Sequence, residues 1–194
     1  MFVFISDLWL DRPEVISRLK KLLLGYSAMP PTAFVFMGNF MASTSENGPA
    51  KTKLFKDLFK SLGDVIIEHK ELLQQSKFIF VPGPNDPGFA NIYPRPPFPQ
   101  YLTQDLVSRI EPQFPNAVIM ASNPCRIQFC TQEIVIFRED IMSKMCRNCV
   151  YFPEQGEVST HFAKTILSQG KNILHLRFEI SLLKFYGYIC RPLQ

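Results

Sequence analysis

The sequence predicts an α/β fold: a layered sandwich in which a mostly parallel sheet carries helices on its outside. Three observations lead there. Short apolar, β-prone runs recur at residues 2–6, 33–37 and 78–81. The stretches between them place apolar residues at helical spacing, and strand–helix–strand order implies right-handed crossovers between parallel strands. Each run also stops abruptly at a polar or Pro/Gly junction: Asp7, then Gly38-Asn39, then Pro82-Gly83-Pro84-Asn85-Asp86. In open α/β sheets ligands bind beyond the carboxyl ends of the strands. The three runs therefore deliver Asp7, Asn39, Asn85 and Asp86 to one rim, with Trp9 two residues past the first junction.

Residues 2–6 are apolar until Ser6, the pattern of a strand covered on both faces. Residues 14–24 follow with Val15, Ile16, Leu19, Leu22 and Leu23 on one helical stripe. Pro13 suits its first turn and Gly25 a C-terminal cap. Pro30-Pro31 belongs to a connector, and residues 33–37 form a second buried strand. A polar loop over 42–49 leads to a long helix over 51–69, with Leu54, Phe55, Leu58, Phe59, Leu62, Val65 and Ile66 on its apolar stripe. Residues 78–81 are the third strand.

Beyond Asp86 the composition changes. Residues 91–101 hold four prolines and three aromatics, which excludes a regular helix or a central strand. A rigid connector with its rings packed on the body is favoured over a ligand for a proline-binding domain. Residues 102–110 suit a short helix and 117–120 a fourth strand. The runs 126–129 and 133–137, separated by polar residues, read as an antiparallel hairpin. Helices are expected over 139–146 and 160–167. Residues 172–190 are apolar without a clean period and receive no assignment. No internal repeat and no long flexible linker is present.

The bulk numbers narrow the function classes. A chain of 194 residues, 46% hydrophobic and 20% charged, fits one soluble domain with a substantial core. Its net charge of +4 is mildly basic, but no run of Lys and Arg forms a stripe that would track phosphates. Lys51, Lys53, Lys56 and Lys60 read as the solvated side of the long helix. No charged segment followed by an apolar core marks a signal peptide, and no apolar stretch approaches the ~20 residues of a membrane span. The five cysteines, an odd number, read as reduced thiols of the cytosol or nucleus. Cys125 and Cys130 flank a strand in poor register for a zinc knuckle, and Cys146-x-x-Cys149 ends a helix where a redox pair would begin one. Buried structural thiols are expected instead.

The order and spacing of the junctions Asp7-Leu8-Trp9, Gly38-Asn39 and Gly83-Pro84-Asn85-Asp86 resemble the calcineurin-like metallophosphoesterase family. Its active members carry Asp-x-His, Gly-Asp and Gly-Asn-His-Asp, then Gly-His motifs; these hold two metals that activate a water and clamp a phosphoryl group. By that resemblance Asp7 matches the first ligand, while Trp9 stands for a ligand His. Asn39 replaces the bridging carboxylate, Pro84 the ligand Asn and Asn85 the catalytic His. Only Asp7 and Asp86 are retained. The three histidines, His69, His161 and His175, lie outside any Gly-His context. The resemblance thus implies a vestigial site at Asp7, Trp9, Asn39, Asn85 and Asp86 with no catalytic residue, no metal and no cofactor. Asp7 and Asp86 are expected to serve structure by accepting bonds from the N–H groups of their own loops.

An inactive phosphoesterase fold of this kind is similar to the B-subunits of the eukaryotic replicative DNA polymerases, and most so to their epsilon branch. The stretches that carry the likeness are FVFISDLWLD (2–11), Gly25-Tyr26-Ser27, FIFVPGPNDPGF (78–89), Pro94-Arg95-Pro96-Pro97, NPCRIQFCTQEIVIFREDIMSKMCRNCV (123–150) and HFAKTILSQG (161–170). That family places a helical domain and an OB-fold before this strand, and further strands after residue 170. The expected organisation is therefore an inactive calcineurin-like phosphoesterase domain over 1–170, incomplete at its C-terminus, and a divergent tail over 171–194, as in a truncated product. The implied role is a non-catalytic, nuclear accessory subunit. Its partners would be the C-terminal region of the polymerase epsilon catalytic subunit and replication-fork helicase components, with DNA met through the holoenzyme and no membrane contact. The competing class is an active metal-dependent phosphodiesterase, which the loss of ligands argues against. A free-standing DNA-binding module would need a basic face that the sequence lacks.

Overall fold

The computed structural model describes residues 1–42, 48–88, 92–150 and 157–168. Its elements run β1 (Phe2–Ser6), α1 (Pro13–Tyr26), β2 (Ala33–Met37), α2 (Pro49–Ile67), α3 (Lys70–Gln75), β3 (Lys77–Val81) and α4 (Gln100–Ile110). They continue with β4 (Val118–Met120), β5 (Cys125–Phe129), β6 (Gln132–Ile136), α5 (Ile141–Arg147) and α6 (Val158–Ser168). The fold is α/β, as expected. A four-stranded sheet in the order β1-β2-β3-β4 is parallel throughout, and β5 and β6 form a separate antiparallel hairpin.

Register places the strand ends side by side. Ser6 lies opposite Met37, and Met37 opposite Val81, so the loops that follow β1, β2 and β3 leave the sheet at one level.

Alternation along β2 and β3 sends their side chains into two cores. Phe34, Phe36, Phe78 and Phe80 face a core shared with Val15, Leu19 and Leu23 of α1, Phe55, Phe59 and Leu62 of α2, and Leu102, Leu106 and Ile110 of α4. All four sheet phenylalanines are fully buried. Phe34 stacks on Phe78 with centroids 5.2 Å apart, and Phe36 on Phe80 at 5.1 Å. Each buried Phe contributes about 1.5–3 kcal/mol through surface removed from water. On the opposite face Ala33, Val35, Ile79 and Val81 meet Ile136, with Ile127 and Ile134 of the hairpin packed against them. Helices cover one face of the sheet and the hairpin the other.

Several local expectations need correction. Residues 2–6 meet a core on each face, Val3 and Ile5 on one side and Phe2 and Phe4 on the other, but only Ile5 is buried, because β1 is an edge of the sheet among the described residues. Gly25 is not a cap; α1 continues to Tyr26 and closes with the Ser27 N–H donating to the Leu24 carbonyl. The long helix ends close to where it was expected, α2 stopping at Ile67, but a separate short helix, α3, follows directly after His69, whose backbone leaves the helical region. Leu54 is 43% exposed, so the apolar stripe of α2 begins at Phe55. The thiols are not a buried set: Cys130 and Cys149 are exposed, and Cys125 and Cys146 half-buried. Burial pushes the Cys125 thiol up to about 11. In the proline-rich segment Phe98 enters the helical core and Arg95 is 3% exposed, the packing of a connector. The tail over 171–194 lies outside the described residues.

Candidate functional site

The rim beyond β1, β2 and β3 is held by side chains that bond across loops. Asp7 ends β1 at φ 55, a left-handed conformation that Asp tolerates better than most residues. That turn aims its carboxylate at the loop after β2. Asp7 Oδ1 accepts from the Asn39 N–H at 3.2 Å and from Asn39 Nδ2 at 3.4 Å, and Oδ2 accepts from the Ser6 hydroxyl at 3.0 Å. Asn39 passes the link on, its Oδ1 accepting from the Asn85 N–H at 2.9 Å. One chain of bonds thus joins the ends of all three strands.

Asp86 is more deeply placed, 6% exposed. Its Oδ1 accepts from the Phe40 N–H at 2.7 Å and its Oδ2 from the Gly83 N–H at 2.8 Å. One bond is within its own loop and the other reaches across to the loop after β2. Burial dominates its titration and lifts the carboxyl to about 6, against the downward pull of the two N–H groups and of Arg95 and Arg138. The two loops touch at glycines. A Cβ at Gly38 would strike the Asp86 carboxylate and the Gly83 amide, and one at Gly83 would meet Asn39 Oδ1 at 2.7 Å.

The other two residues of the sequence-predicted set sit at the margin. Trp9 is half-buried in the turn after β1, its backbone N–H donating to the Asp7 carbonyl, and the Arg12 guanidinium covers its ring at 4.7 Å. Asn85 is exposed and joins through its backbone; its carbonyl also accepts from Lys51 Nζ at 3.2 Å.

Three residues at the rim escaped the reading of the sequence. Arg138, just past β6, donates from Nη2 to Asp7 Oδ1 at 2.7 Å, from Nε to the Gly38 carbonyl at 2.7 Å, and from Nη1 to Asp140 Oδ1 at 2.9 Å. Its side chain is only 12% exposed. Burial works against its charge, but Asp7 and Asp140 more than offset that and raise its pKa above the usual value. Arg95 donates to the carbonyls of Gly83, Pro84 and Asp86, and its backbone pairs both ways with Asn123. Asn123, fully buried, donates to the carbonyls of Pro82 and Arg138 and accepts from the Arg138 N–H. A signal for Arg138 existed: the apolar run 134–137 stops at a charged residue, as the first run stops at Asp7.

The electrostatics are closed internally. Asp7 is neutralised by Arg138, and the buried Arg95 spends its donors on backbone carbonyls beside the Asp86 carboxylate. Among the described residues no group of three or more His, Cys, Asp or Glu side chains comes together, and no helix is long and apolar enough to cross a membrane. His69 lies between α2 and α3 and His161 in α6, both outside the elements that end at this rim; His175 is outside the described residues.

Comparison with known proteins gives this arrangement a context. The family model for the DNA polymerase alpha/epsilon B-subunit matches residues 2–173. The proteins named DNA polymerase epsilon subunit 2 in Mus musculus and Homo sapiens are each 50% identical to it over 171 residues, covering 88% of this chain and 31% of theirs. DNA polymerase epsilon subunit 2 of Drosophila melanogaster is 41% identical over 169 residues, covering 87% of this chain and 30% of its own. The chain thus spans somewhat under a third of the length of these relatives.

Proposed function

The chain belongs to the DNA polymerase alpha/epsilon B-subunit family, and from that premise we propose that it acts as a non-catalytic accessory piece of DNA polymerase epsilon. The observation that carries the reading is the 50% identity, over nearly the whole chain, to proteins named as epsilon subunits. The family-model match over residues 2–173 includes every rim residue and the 123–150 stretch. In this reading the domain over 1–170 is a calcineurin-like phosphoesterase body that has lost its chemistry. It scaffolds the catalytic subunit through that subunit's C-terminal region, works in the nucleus beside helicase components of the fork, and meets DNA through the holoenzyme. Residues 171–194 are a divergent addition to it.

The donor set supports the non-catalytic part. Two divalent cations held close together need several anionic or imidazole ligands to offset their repulsion and lost hydration. Here Asp7 is the carboxylate at the first ligand position, and Arg138 already binds it at 2.7 Å. Asn39 Oδ1 is occupied by the Asn85 N–H, and both oxygens of Asp86 accept buried backbone donors. These residues do not fit a metal pair.

Co-expression of the full chain with the C-terminal region of the polymerase epsilon catalytic subunit tests the reading. A soluble complex that co-purifies through size exclusion is expected. A folded chain that elutes alone, with the catalytic fragment also soluble, would overturn it.

A further inference from the structure

We infer that Arg138 is an internal cation clasp: one guanidinium, bound at once to the ends of β1 and β2 and to the start of α5, holds the hairpin and α5 on the strand-end rim. The three acceptors come from far apart in the chain. Asp7 lies 131 residues before Arg138 and Gly38 lies 100 before it, while Asp140 is two residues after. The backbone of Arg138 is fixed as well, its N–H by Asn123 Oδ1 and its carbonyl by Asn123 Nδ2 and the Tyr93 hydroxyl.

Charge and shape explain why this residue is arginine. Asp7 turns a half-buried carboxylate toward the Asn39 N–H and Nδ2, neutral donors that leave its charge unbalanced, so a cation is needed beside it. A planar guanidinium presents five N–H donors in a fixed fork and can meet two carboxylates and a carbonyl together, whereas an ammonium is a single point of charge. The protein's own side chain thereby supplies the positive charge at this rim.

The segment that depends on it is identifiable. None of the side chains of α5 is buried, so packing alone does little to fix this helix. It is held at its start by Arg138–Asp140 and by the Lys144–Glu139 pair at 2.7 Å. Without the clasp, the start of α5 loses its side-chain tie to the ends of β1 and β2 and keeps the backbone bonds of Arg138 to Asn123, while the sheet keeps both of its cores.

Native-state hydrogen exchange on the full chain tests this with Arg138→Met, Arg138→Lys, Asp7→Asn and the Asp7→Asn/Arg138→Met double variant. In Arg138→Met, the amides of residues 138–147 should exchange at least about tenfold faster, while those of β2 and β3 stay protected. Arg138→Lys, which keeps charge but not the fork, should fall between wild type and Met. The double variant should exchange no faster than the worse single one, because both remove the same link. Unchanged exchange over 138–147 would overturn the inference, as would effects that multiply in the double variant. Equal loosening of sheet and α5 would overturn it too. If Arg138→Met does not fold, the Lys variant decides by the same comparison.

Discussion

Asn123 and Arg138 exchange two hydrogen bonds: the Arg138 N–H donates to Asn123 Oδ1 at 3.0 Å, and Asn123 Nδ2 donates to the Arg138 carbonyl at 2.7 Å. Nδ2 also reaches the Pro82 carbonyl at 2.8 Å. A single buried amide therefore ties the exit of β3 to the exit of β6. Asn123→Ala would strand the Arg138 N–H and the Pro82 carbonyl and leave the Arg138 carbonyl only the Tyr93 hydroxyl, and leaving a buried group unpaired costs about 1–3 kcal/mol. A loss of about 2–4 kcal/mol in urea unfolding is expected after partial relaxation. A change of a few tenths would show that these bonds are replaced by water at little cost.

Asp86 gives the fold a pH dependence of definite sign. Its carboxyl sits at about 6 in the fold against an ordinary value of 3.8, so the folded state holds this proton more tightly than the unfolded chain. The resulting stabilisation is complete below the unfolded value and is lost as pH rises through about 6. Asp86→Asn removes the titration. The stability of wild type relative to the Asn variant should therefore fall by about 1 kcal/mol between about pH 5 and about pH 7. A difference that grows over this range would mean that the N–H bonds and arginines outweigh burial.

Asp86→Ala addresses the structural role directly at neutral pH. It leaves the buried N–H groups of Phe40 and Gly83 without their acceptor, and a destabilisation of about 2–4 kcal/mol is expected. That exceeds the ~1 kcal/mol of a simple lost cap, because the carboxylate bridges two loops. Unfolding like wild type, with loss of a partner instead, would assign Asp86 to binding.

Two glycines should respond in opposite directions to the same substitution. Gly38→Ala drives a methyl into the Asp86 carboxylate and the Gly83 backbone, and should cost at least about 2 kcal/mol as an overpacked core site does. Gly25→Ala lies in the last turn of α1 with nothing within 4 Å of the added carbon. It should stabilise by roughly 0.5–1 kcal/mol through helix propensity. Thermal melts of the two variants decide the matter, and a neutral Gly38→Ala would show that the loops can part.

Local pattern carried the parallel sheet, its strand ends and the hairpin, since apolar runs and turn residues act within a few positions of themselves. The same pattern placed Asp7, Asn39 and Asp86 on one rim because register follows from a parallel sheet. It did not reach what Arg138 and Arg95 bind: apart from Asp140 their side-chain partners lie 9 to 131 residues away, and the charged stop after residues 134–137 marks a strand end without showing that the arginine is buried. It overstated the burial of β1, because sheet position is a tertiary property, and of the cysteines, because thiol burial has no sequence period. The short helix α3 after His69 went unassigned because six residues are too few to show a helical period.

Manganese loading of the purified full chain, followed by elemental analysis and a generic phosphodiester assay on the same sample, tests the central claim most directly. The rim described here should retain no stoichiometric manganese and hydrolyse nothing above the buffer blank, since Arg138 and backbone donors already occupy Asp7, Asn39 and Asp86. Close to two equivalents of bound manganese together with hydrolysis would contradict it.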